Sequence, residues 1–161
     1  MSLKPDKIYE TIESIHPTTL TTFGLRCLFV DIDNTLTNTR DDFIDPIKMD
    51  WLEKVSQLGI RIVLLSNNQG KRINLIAAQT KYETYSFALK PVSKYYRKVS
   101  KQYGYHKHEI GVIGDQLFTD ILGGKLRRYR TFYVKPVSSK DVYFTNLTRK
   151  IEGMLMKRWT K

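Results

Sequence analysis

Cys27-Leu28-Phe29-Val30-Asp31-Ile32-Asp33-Asn34-Thr35 begins with four apolar residues and then turns abruptly acidic. That change reads as a buried strand whose carboxyl end emerges at a polar surface. Asp31 and Asp33 lie two apart, so a regular strand would aim both carboxylates to one side. Cys27, the only cysteine of the chain, belongs to the apolar run and packs as a small hydrophobe.

Working outward, four further short runs share this character: Ile62-Val63-Leu64-Leu65, Tyr85-Ser86-Phe87-Ala88, Gly111-Val112-Ile113 and Thr131-Phe132-Tyr133-Val134. Helical patterns separate them. Asp45 and Pro46 start one that carries Ile47, Trp51, Leu52, Val55 and Leu58 on a single face and stops at Gly59. Others run from Arg72 to Gln79 (Ile73, Ile76, Ala77), from Val92 to Tyr103 (Tyr95, Tyr96, Val99) and from Thr119 to Arg128 (Ile121, Leu122, Leu126). Strands alternating with helices predict an α/β fold of three layers, with a mostly parallel five-stranded sheet covered by helices on both faces.

The chain has 161 residues and a 41% hydrophobic composition, and no internal repeat or Gly/Pro/Ser-rich linker divides it. The expectation is one domain over 1–161, with an N-terminal helical segment over 1–24 (Ile8, Ile12 and Ile15 at helical spacing) and a basic amphipathic helix over 145–161. No apolar run is long enough to cross a bilayer, and Met1-Ser2-Leu3-Lys4-Pro5-Asp6 lacks the order of a secretory signal. A cytoplasmic protein is therefore expected, peripheral on the inner membrane face if the terminal helix meets lipid. The net charge of +11 favours polyanionic partners of whatever kind: a phosphorylated metabolite, an anionic membrane or nucleic acid.

Open sheets bind ligands outside the carboxyl ends of their strands. The residues there are Asp31, Asp33 and Asn34 after the first run, Ser66 and Asn67 after the second, Lys90 near the third, and Asp115 after the fourth with Asp120 a turn later. Asp31, Asp33 and Asp115 would repel one another unless a hard cation neutralised them, and magnesium suits oxygen ligands with room for water. Ser66 and Lys90 offer a neutral donor and a compact positive charge, which suits a phosphoryl group; Asn34 and Asn67 join them as substrate-binding candidates. Asp31 is assigned to nucleophilic attack on phosphorus and Asp33 to proton transfer. His106 and His108 flank Lys107 on a surface loop and are read as structural.

These four elements, DIDNT at 31–35, the serine closing the second strand, the lysine, and GDQLFTD at 114–120, resemble the signatures of the haloacid dehalogenase superfamily of phosphatases, in order. The resemblance implies an aspartyl-phosphate on Asp31. It implies magnesium held by Asp31, Asp115 and the main-chain carbonyl of Asp33, and a phosphoryl group bound by Ser66 and Lys90. Asp120 would then support the metal from outside its ligand set or fix its own loop, and the two readings stand side by side. Neither connection has room for a cap domain, so the capless type is expected. More narrowly, SNN at 66–68, KP at 90–91 and GDQLFTDILGGKLRRYRTFYVKPV at 114–137 are similar to the YqeG-like and phosphatidylglycerophosphate phosphatase branch. That branch implies a lipid phosphomonoester at the membrane surface as substrate. The alternatives are a phosphatase of nucleic-acid ends or of soluble sugar or nucleotide phosphates, and a non-catalytic ribosome-associated or assembly module. Oligomeric state is left open.

Overall fold

The computed structural model describes residues 2–138 and 146–159. Six parallel strands form one sheet: β1 (Lys7–Tyr9), β2 (Cys27–Asp31), β3 (Arg61–Leu65), β4 (Glu83–Tyr85), β5 (Ile110–Gly114) and β6 (Arg130–Val134), in the spatial order β1-β6-β5-β2-β3-β4. The chain moves outward from β2 through β3 to β4. It then crosses back to β5 on the other side of β2. The carboxyl ends of β2 and β5 therefore flank the switch point, where such sheets place their ligands.

Alternation along the strands divides the core between two faces. Leu28, Val30, Ile62, Leu64, Ile113 and Phe132 face α2 (Pro46–Gln57) and α3 (Lys71–Ala78), with Leu20 of the short α1 (Pro17–Thr22) beside them. Cys27, Phe29, Val63, Leu65 and Val112 face α4 (Lys94–Tyr103) through Tyr96 and Val99. Burial pushes the Cys27 thiol up to about 12, so it stays protonated as packing material. After β5, a π turn over Leu117–Ile121 leads into α5 (Leu122–Arg127). The last helix, α6 (Asn146–Trp159), packs Leu155, Met156 and Trp159 against Leu117, Ile121 and Tyr133. Glu152 of that helix accepts the main-chain N–H of Phe118 at 3.2 Å.

Several sequence expectations need correcting. The sheet has six strands, not five, because the N-terminal segment is not helical over 1–24. Lys7–Tyr9 pairs with Phe132–Val134, and helix begins only at Pro17. Ile12 and Ile15 are buried, but from irregular turns between β1 and α1. The third run ends its strand at Tyr85, and Phe87 takes a left-handed backbone beyond it. Ile47 and Leu58 on α2, and Leu126 on α5, face solvent and not the core. Asp45 does cap α2, accepting the N–H of Ile47 at 2.8 Å. Of the expected 145–161 helix, 146–159 is helical, and 145, 160 and 161 lie outside the described residues. Its Leu155 and Trp159 pack partly buried against the domain, while Ile151 and Met154 stay exposed.

Candidate active site

Asp31, Ser66 and Asp115 each emerge where a buried strand stops. Asp31 is the last residue of β2, in register with Leu65 of β3, so Ser66 follows on the neighbouring strand at the same level. After β4, Ala88 N–H donates to the carbonyl of Ser66 at 2.8 Å, which brings the next residues, Leu89 and Lys90, back toward β2. Asp115 follows β5 directly. All of Asp31, Asp33, Asn34, Ser66, Lys90, Asp115 and Asp120 are buried.

The centre of the arrangement is a bridge. Lys90 Nζ donates to Asp31 Oδ1 and, at 2.7 Å, to Asp120 Oδ1. Thr35 Oγ1 donates to Asp31 Oδ2 at 2.9 Å, so both oxygens of Asp31 are held in place. Burial and the carboxylates of Asp120, Asp115 and Asp33 together push the Asp31 carboxyl well above the ordinary range, with Lys90 opposing them. Burial alone would lower the Lys90 ammonium, but Asp120 and Asp31 outweigh it and hold it above an ordinary lysine.

Asp33 serves a different set of partners. Ser66 Oγ donates to its Oδ2, and Arg72 Nη1 reaches its Oδ1 at 2.7 Å. The same guanidinium donates through Nε to the carbonyl of Asp41 (2.8 Å) and through Nη2 to that of Asn38 (3.0 Å), so it ties Asp33 to the loop that leaves the first motif. Sequence reading missed Arg72: an arginine in the first turn of an amphipathic helix looks like surface. Asn67 engages the main chain of Lys90 from both sides, accepting its N–H at 2.7 Å and donating to its carbonyl at 3.2 Å. Its amide thus positions Lys90. Asn34 sits at φ +60, a conformation asparagine tolerates, with its N–H on Thr37 O (2.7 Å) and its buried Oδ1 lacking a hydrogen-bond partner.

The glycines of the 114–124 stretch explain how the site is assembled. A Cβ on Gly114 would fall 2.2 Å from Cγ of Asp120, so only glycine lets that carboxylate fold back under β5. A Cβ on Gly124 would meet Thr131 Cγ2 at 2.6 Å, and Gly123 faces Tyr96 and the carbonyl of Pro91. These close approaches seat α5 on the sheet and against the segment that carries Lys90. His106 and His108 stand at the opposite end of β5, where His106 N–H binds Glu109 Oε2 at 2.7 Å.

Carboxylate oxygens of Asp31, Asp115 and Asp120 all lie within 4.8 Å of one another in the interior. When ionised, these three and Asp33 exceed the two cations among them, Lys90 and Arg72, by two charges. An all-oxygen donor set with a twofold negative surplus fits a divalent hard cation. Asp120 thus stands with Asp31 and Asp115 in the carboxylate cluster, while the Asp33 side chain pairs with Ser66 and Arg72.

The profile of the family described as mitochondrial PGP phosphatase matches residues 2–138. The chain belongs to this family. It is 31% identical over 152 residues to "Probable phosphatase YqeG" of Bacillus subtilis, covering 94% of this chain and 88% of that protein. It is 25% identical over 148 residues to phosphatidylglycerophosphate phosphatase 1, chloroplastic/mitochondrial, of Arabidopsis thaliana, which covers 86% of this chain but 42% of that longer protein. In fold it is similar to the cobalt-bound deoxy-D-mannose-octulosonate 8-phosphate phosphatase of Haemophilus influenzae (TM-score 0.58, 13% identity, 84% of this chain and 89% of that one). An uncharacterised Listeria monocytogenes protein has the same fold (TM-score 0.53, 17% identity, 85% of this chain and 100% of that one). As a member of this family the chain is a phosphatase, a phosphoric monoester hydrolase. No helix among its described residues is long and apolar enough to cross a membrane.

Proposed function

We propose that this phosphatase works with magnesium through a phosphate carried on Asp31, and that its substrate is phosphatidylglycerophosphate, released as phosphatidylglycerol. The observation that carries the reading is the fixed pair of oxygens on Asp31, one on Lys90 and one on Thr35, at the mouth of the central strand. A carboxylate held in this way is aimed and not free to rotate, as near-attack geometry requires.

An Asp31 oxygen forms a bond to phosphorus while the ester P–O bond breaks, and the departing alcohol oxygen takes a proton from the Asp33 carboxyl group. Water then attacks the same phosphorus, gives its proton back to Asp33 and frees inorganic phosphate from Asp31. Ser66, whose hydroxyl rests on Asp33, and Lys90, held by Asn67, supply donors to the phosphoryl oxygens. Magnesium, when held by Asp31, Asp115 and the carbonyl of Asp33 with Asp120 alongside, would offset the negative charge that gathers on the phosphoryl group. The lipid substrate is supported by the family and by the name of the Arabidopsis relative.

Phosphate release from phosphatidylglycerophosphate vesicles, from 5′- and 3′-phosphorylated oligonucleotides and from sugar phosphates, measured in parallel, tests the assignment. Preference for the lipid by at least about a hundredfold in kcat/KM is expected. Equal or better turnover of the oligonucleotide or sugar ester would overturn the lipid assignment and keep the chemistry.

A further inference from the structure

The segment that delivers Lys90 to the site also does something the chemistry does not require. Its residues alternate between inside and outside: Ala88 (1% exposed) and Lys90 (8%) point in, while Phe87 (53%), Leu89 (55%) and Val92 (71%) stand out in solvent. Phe87 and Leu89 do so from left-handed backbone, φ +49 and +56, which bulky residues adopt only when their surroundings impose it. Here the imposing bonds are Phe87 N–H to Asn68 O (2.9 Å) and Ala88 N–H to Ser66 O (2.8 Å). Three large apolar side chains within six residues are thus held outward on the rim of the crevice.

Charge is distributed along the chain in an equally uneven way. Residues 54–108 carry eleven Lys and Arg against one acidic residue, Glu83, which is ten of the chain's eleven net positive charges. That third of the chain contains β3, the edge strand β4, α3 and α4. Next to the loop, Tyr85 and Tyr95 stack at 3.9 Å, with Lys98 Nζ 4.8 Å from the ring centroid of Tyr85 and Lys94 Nζ 5.4 Å from that of Tyr95. Apolar side chains ahead, tyrosines behind them and lysines around both are the order of residues that an interface between hydrocarbon, headgroup and water selects.

We propose that the 87–92 loop and the basic face beside it seat this protein on an anionic phospholipid bilayer, with the catalytic crevice opening onto the headgroups. Phe87, Leu89 and Val92 enter the boundary between acyl chains and headgroups, and Lys94, Arg97 and Lys98 lie against the anionic surface. The inference rests on the lipid-phosphatase reading for the direction in which the crevice faces, and it gives a site without a cap a surface that excludes water. It also moves the membrane contact away from α6, whose Leu155 and Trp159 pack partly buried against the domain.

Sedimentation of the full chain with vesicles of phosphatidylglycerol and phosphatidylcholine in equal parts, containing no phosphomonoester, tests the surface apart from turnover. Binding is expected there and not to phosphatidylcholine alone, and it weakens as salt rises. Phe87→Ser, Leu89→Ser and Val92→Ser together lower the partition by about tenfold or more. Should that triple variant fail to fold, Phe87→Trp answers the same question: its added emission shifts to the blue on the anionic vesicles. Absence of wild-type binding, a folded triple variant that binds like wild type, an unshifted Phe87→Trp emission, or retention by polynucleotide in place of vesicles would each overturn the inference. Vesicle binding without turnover of phosphatidylglycerophosphate would instead overturn the substrate and leave the surface standing.

Discussion

Arg72 holds Asp33: its Nη1 lies 2.7 Å from Asp33 Oδ1, and its other two contacts reach the carbonyls of Asn38 and Asp41 on the loop that follows. The ion pair is only partly exposed, so it is less screened than a surface pair. Its consequence is orientation of the carboxyl group assigned to proton transfer. Arg72→Ala is expected to lower kcat by about 10²-fold with KM changed less, because the loss falls on the proton-transfer step. Arg72→Lys keeps one charge contact but not the fork, and recovers part of that loss. Steady-state kinetics of both variants check this, and a loss confined to KM would mean that Arg72 acts on substrate and not through Asp33.

Asp120 shares Lys90 with Asp31 and completes the acidic cluster. Asp120→Asn removes one charge from that cluster while keeping the side chain's shape. The magnesium concentration giving half-maximal activity should rise about 10–100-fold, with activity partly restored at saturating metal. Magnesium titration of phosphate release, wild type against variant, reads this directly.

Gly114 and Asp120 are coupled by contact. Gly114→Ala places a methyl group where the Asp120 side chain now lies, and is expected to cost about 1–3 kcal/mol of stability along with most activity. Adding Asp120→Ala to it should restore stability without restoring activity, since the clash is gone but so is the carboxylate. Denaturant unfolding of the two single variants and the double variant measures that non-additivity.

Asp6 fastens the edge strand β1 to its neighbours. Its carboxylate accepts from Thr131 N–H and Oγ1, both at 2.8 Å, and from Lys125 Nζ at 2.8 Å. Partial burial would raise its pKa, but Lys125 and Thr131 prevail and hold it below the usual aspartate value. Because the folded state favours the ionised form, this contribution is fully present above the unfolded pKa near 3.9 and disappears as pH falls through the folded one. Asp6→Asn should therefore lower Tm by about 3–6 °C at about pH 6, and the gap to wild type should close toward about pH 3. Melting curves across that range check it.

The strand ends were legible because buried parallel strands are apolar on both sides, so the first polar residue marks the edge of the core. Asp31, Ser66 and Asp115 all stand at such an edge. Lys90 was legible for a different reason, its place before Pro91 in the order of motifs, since its strand ends five residues earlier at Tyr85. β1 was hidden: three residues, Lys7-Ile8-Tyr9, are too few to display a period, and the spacing of Ile8, Ile12 and Ile15 imitates a helix. The pairing that makes them a strand comes from Asp6 and Thr131, 125 positions apart. Arg72 was hidden because its meaning depends on three acceptors 31 to 39 residues earlier, which folding alone brings together. Ile47, Leu58 and Leu126 fit the helical period yet lie beyond what the sheet covers, since a period states which side faces inward and not how far the core extends.

The role of Asp31 is read most plainly from magnesium-dependent phosphate release from p-nitrophenyl phosphate by the wild-type chain and by Asp31→Asn, with each protein's fold checked by circular dichroism. Release by wild type is expected to stop when the metal is chelated and to resume when magnesium is restored, and the folded Asp31→Asn variant is expected to lose at least about 10³-fold. Equal release by that variant would contradict the assignment of Asp31 as the group that receives the phosphate.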